Sequence, residues 1–78
     1  DLDFVYIDAN HAYDFVKRDM ENWWPKITQG GWLTGDDYEM PEVKRAVNEF
    51  VESKEKEWGN LPLCPFGLNG RNWIIMKP

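Results

Sequence analysis

The sequence predicts an α/β fold of three to four strands with two crossover helices and an antiparallel last strand. Three observations point there. A continuous β-prone run opens the chain, apolar residues recur at helical spacing in two separate stretches, and glycine punctuation sets a second β-prone run between those stretches. Strand, helix, strand, helix is the order of parallel strands joined by right-handed crossovers. Its 78 residues make a single small domain, and a chain of that size buries only about 60–65% of the surface its unfolded form exposes.

Asp3, Phe4, Val5, Tyr6 and Ile7 do not alternate between apolar and polar, which predicts a strand near residues 3–8 covered on both faces, as in parallel sheets. From Ala12 the period changes. Tyr13, Val16, Met20, Trp23, Trp24 and Ile27 recur at spacings of three and four, so a helix is expected near residues 12–24, ending before Pro25. Asp14 suits its positive end and Asn10 is the expected cap. Gly30 and Gly31 then break the pattern, and Trp32, Leu33 and Thr34 form a second strand near 31–36 that runs into Asp36 and Asp37. Pro41 suits a first helical position, and Val43, Ala46, Val47 and Phe50 share one face of a helix near 41–54. The mixed charges from Glu52 to Glu57 read as its solvated end. Pro62 and Pro65 confine a weak strand near 60–64 to a sheet edge, and Trp73 to Met76 form a last strand near 72–77.

Fourteen acidic against nine basic residues leave a net charge of -5, with no Lys/Arg stripe to neutralise a phosphate backbone, so nucleic acid is not an expected partner. The single Cys64 has no second thiol for a disulfide or a metal knuckle, which suits a reducing, cytoplasmic setting. No apolar run approaches the roughly 20 residues of a spanning helix, so no membrane association is expected. The chain enters a strand pattern almost at Asp1, which predicts a piece of a longer domain.

Chemistry concentrates where the first two strands end. Ligands of open α/β sheets gather beyond the carboxyl ends of the strands. Asp8 closes the first strand and the pair Asp36 and Asp37 closes the second, so adjacent parallel strands would bring three carboxylates to one edge. Such oxygens suit Mg²⁺. Both acids of the pair can serve only if the strand has already turned at Gly35. Each acid taken singly is also an ordinary cap or Asx turn. His11, three residues past Asp8, has the imidazole of a general base near neutral pH.

The stretches FVYIDANHAYDFVKRDMENWWPKITQGGWLTGDDY, PEVKRAVNEF and WIIMKP together resemble the C-terminal half of a class I S-adenosylmethionine-dependent methyltransferase. The similarity is to the group with an IDGNH-like motif that includes macrocin-type sugar O-methyltransferases, although Ala9 stands where relatives often have Gly. It covers most of residues 3 to 50 and the last six. The resemblance implies half of a Rossmann-like fold, with strands four to seven and the last one inserted antiparallel between the fifth and sixth. It also implies Asp8, Asp36 and Asp37 as ligands of Mg²⁺ or another divalent cation, His11 as the base, and a sugar or diol hydroxyl as methyl acceptor. The elements that hold S-adenosylmethionine belong to the other half, so the isolated chain is expected to be inactive. Loss of that half strips the first strand of a neighbour, and the exposed edge predicts a homo-oligomer. Two other readings stay open: a receiver-like phosphoacceptor, and a non-catalytic truncated α/β module whose acids are caps.

Overall fold

The computed structural model describes residues 2–7 and 12–78. In chain order its elements are β1 (Leu2–Ile7), α1 (Tyr13–Trp23), β2 (Ile27–Gly35), α2 (Pro41–Trp58), β3 (Leu63–Phe66) and β4 (Asn72–Met76). Short 3-10 turns at Trp24–Lys26 and Leu68–Gly70 lead into β2 and β4.

The strands form one mixed sheet in the order β1-β2-β4-β3. β1 and β2 are parallel, with Val5 beside Leu33 and Ile7 beside Gly35. β4 runs antiparallel to both neighbours, inserted between β2 and β3. This is an α/β fold matching part of a Rossmann-like sheet, including the inserted last strand that the resemblance implied. β3 carries Pro65 at the sheet edge, where its missing N–H breaks no interior ladder.

Two crossovers of one hand that advance the same way along a sheet put their helices on the same face. The core lies on that face. Ile7, Leu33, Trp73 and Ile75 from the strands pack with Val16 and Met20 of α1 and with Val43, Ala46, Val47 and Phe50 of α2. Trp24 meets Phe50 and Trp58 edge to face, with ring centroids 5.5 Å and 6.1 Å away. Lys77 closes this corner: its buried Nζ donates to the carbonyls of Trp24 and Ile27, each at 2.8 Å. No helix among the described residues is long and apolar enough to cross a membrane.

The structure corrects the sequence reading in several places. β1 is covered on one face only: Leu2, Phe4 and Tyr6 are exposed, because both helices occupy the opposite face. Trp23 also turns outward, leaving Val16, Met20 and Trp24 to make the contact with the core. Ile27 belongs to β2 rather than to the α1 face, and the two glycines lie inside that strand. Gly30, at φ +83°, lets β2 bulge, and the register with β1 jumps from Leu2 beside Ile27 to Phe4 beside Trp32. The bulge is held by β4: Gly30 N–H donates to Lys77 O at 2.7 Å and Lys77 N–H donates to Gly31 O at 2.8 Å. The cap position of α1 falls on Ala12, which has no side-chain oxygen to offer, and Asn10 lies outside the described residues. α2 continues to Trp58, and Gly59 stops it at φ +82°.

Candidate functional site

Parallel pairing brings the ends of β1 and β2 level, since Ile7 and Gly35 are partners across the ladder. Asp8 and His11 follow Ile7 in sequence and lie outside the described residues. On the β2 side the chain leaves the sheet directly into Asp36 and Asp37, both half-buried. Asp37 takes a left-handed φ of +61°, so the strand has turned between the two acids. Asp is among the few residues that adopt this conformation readily, because its short side chain bonds locally.

The Asp36 carboxylate is tied at one oxygen. Its Oδ1 accepts the Asp37 N–H at 2.8 Å and Asn72 Nδ2 at 3.4 Å. The same Asn72 amide lies 3.4 Å from Gly35 O. Further links run from this loop to the start of β4: Tyr38 N–H donates to Arg71 O at 2.8 Å, and Arg71 Nε stands 3.5 Å from Glu39 Oε2. Tyr38 itself is buried, with its hydroxyl donating to Asn48 Oδ1 of α2 at 2.9 Å. Residues 36–39 are therefore pinned to both β4 and α2.

Beneath the loop, the Trp73 indole packs against Gly35. A Cβ on Gly35 would sit 2.6 Å from that ring, so only glycine admits this packing. The other side of the sheet is open. Phe4, Tyr6, Trp32, Thr34, Phe66 and Ile74 line an apolar hollow of about 200 Å³ there. Thr34, buried at its floor, is satisfied by donating to Trp73 O at 2.6 Å.

Asp36 and Asp37 thus share one loop at the end of β2. Among the described residues, no group of three or more His, Cys, Asp or Glu is arranged to hold a metal ion. The donors that are placed are carboxylate oxygens, which fit a hard cation such as Mg²⁺. Asn72 and Arg71 escape a reading of the sequence, in which Asn72 is only the start of the last strand. The contacts of Asn72 with Asp36 and of Arg71 with Tyr38 and Glu39 appear only once β4 is known to lie beside β2.

The fold and this loop define a Rossmann-like α/β half-sheet with an acidic strand end. Residues 1–38, from β1 through Asp36 and Asp37, match the model of a family described as a methyltransferase domain. The chain is also similar to an uncharacterized protein, R132, of Acanthamoeba polyphaga mimivirus, with 33% identity over 54 residues. That alignment takes in 64% of this chain and 24% of the viral protein, so the chain spans only a small part of the relative's length.

Proposed function

We propose that the chain is part of a metal-dependent O-methyltransferase that moves a methyl group from S-adenosylmethionine to a hydroxyl of a small molecule, a sugar or another diol. The observation that carries this reading is the methyltransferase-domain match, which spans the whole β1-α1-β2 unit and ends just past the Asp36 and Asp37 pair.

In this reading Asp8, Asp36 and Asp37 hold a divalent cation, Mg²⁺ by the hardness of their oxygens. When bound, the cation would polarise a substrate hydroxyl and S-adenosylmethionine would supply an electrophilic methyl group. His11 accepts the hydroxyl proton on a ring nitrogen, a role in which imidazole commonly serves near neutral pH. The pinned loop of residues 36–39 keeps two of the carboxylates in a fixed place and so contributes positioning. The donor-binding elements lie outside these 78 residues in this reading, so the chain alone is inactive. Self-association through the edge of β1 belongs to the same proposal.

A second reading has one observation in its favour. The bond from Asp37 N–H to Asp36 Oδ1 is an ordinary turn-stabilising contact, and a non-catalytic module would make it too. Metal titration separates the two. Mn²⁺ binding, followed by the loss of the free-ion paramagnetic signal, should weaken by more than about tenfold in Asp8→Ala and in Asp36→Asn, since even indirect partners of a metal cost that much. Unchanged binding in both variants would remove the metal from the proposal.

A further inference from the structure

We propose that Asn72 is a positioning residue for Asp36, holding that carboxylate in the orientation in which it acts as a ligand; the inference rests on the metal-dependent reading above. Among the described residues, both hydrogen bonds to the Asp36 carboxylate end on Oδ1. A carboxylate anchored through one oxygen offers the other from a fixed direction, which is how partners of metal-binding carboxylates act.

The two anchors differ in kind. The Asp37 N–H belongs to the loop and moves with it. Asn72 stands 36 positions away, on the strand whose pairing sets Trp73 opposite Gly35. It therefore relates Asp36 to the sheet. Its orientation is fixed by chemistry, because Gly35 O and Asp36 Oδ1 are both acceptors and only the NH₂ end of the amide can serve them. The opposite end is confined by Gly67, where a Cβ would lie 2.5 Å from Asn72 Oδ1. The neighbouring Arg71, holding Tyr38 and Glu39, keeps the rest of the loop against the same strand.

The test uses the whole chain with Mn²⁺ as the probe, and follows folding by circular dichroism. Asn72→Leu keeps the size and removes the donor, and should weaken Mn²⁺ binding by about tenfold while the helical signal is retained. Asn72→Gln, which restores a donor, should recover most of the loss. Asn72→Ala, which also removes the donor, is carried alongside, so that a misfolded leucine variant leaves the comparison standing. A role exercised through Asp36 also predicts that Asn72→Leu adds no further loss in an Asp36→Asn background. The positioning role is overturned, and the metal site kept, if Asp36→Asn weakens binding but removal of the Asn72 donor does not, or if its effect is the same in both backgrounds. If Asp36→Asn itself leaves binding unchanged, the metal reading and this inference fall together.

Discussion

Single side chains carry several of the contacts that join the elements, and two of them give measurable predictions. Tyr13 at the start of α1 donates its hydroxyl to Glu49 of α2, and Lys17 Nζ donates to Tyr13 Oη at 3.1 Å and to Glu49 Oε1 at 3.2 Å. The Tyr13 hydroxyl, and then Lys17, hold the Glu49 carboxyl below its ordinary value. The Tyr13 hydrogen bond, and then Glu49, raise Lys17 above its own. A depressed carboxyl stabilises the fold above its ordinary pKa, and that contribution disappears as pH falls through the folded value. A raised ammonium stabilises below the ordinary lysine pKa and stops doing so as pH rises through the folded value. Unfolding midpoints measured against pH should therefore drop at both ends, and Glu49→Gln should flatten the acid limb. Both groups are partly exposed, so the change is small. Lys77 differs because it is buried. Lys77→Met leaves the Trp24 and Ile27 carbonyls without their donor, and denaturant unfolding should show a loss of about 2–3 kcal/mol.

At the scale of elements, the tightest constraint lies where β2 meets the site. Gly35→Ala forces a methyl group into the Trp73 ring, which has no room to move inside the core. The substitution should destabilise the chain by about 1–3 kcal/mol in urea unfolding and shift the indole fluorescence. In the sequence Gly35 reads only as a hinge for the acids; its steric role depends on β4 as a neighbour. The same distinction separates what the residues reveal from what they conceal. α2 could be read directly, because Val43, Ala46, Val47 and Phe50 declare a helical face through local spacing, and all four are buried. The start of β2 could not, because Gly30 and Gly31 read locally as a break and become strand only through their bonds to Lys77. For the candidate site, the sequence marks Asp36 and Asp37 as a pair at a strand end. It does not show that Asp36 leans on Asn72, a contact made by sheet order and not by proximity in the chain. The burial of Thr34 is similar: its hydroxyl finds its acceptor on the inserted strand.

For the whole molecule, the sheet presents a packing imbalance. Parallel strand pairs are ordinarily covered on both faces, yet here the helices cover one and leave the other to solvent. Phe4, Tyr6, Trp32, Phe66 and Met76 are each more than 40% exposed. The register explains why they form one patch, since Phe4 lies beside Trp32, Trp32 beside Met76, and Tyr6 beside Thr34. β1 borders this patch at the sheet edge, and Leu2–Ile7 contains neither the Lys nor the Pro that commonly discourages edge pairing. The proposed self-association therefore has two contributions, the edge position of β1 in the described sheet and the apolar surface next to it. A net charge of -5 opposes it through repulsion between like copies. Added salt screens that repulsion and should favour assembly. Sedimentation at micromolar concentration should find dimers or larger species that increase with salt. Phe4→Lys, placing a charge on the edge strand within the patch, should return the chain to monomers without loss of helical signal. A wild-type chain that stays monomeric across that salt range would overturn the proposed assembly.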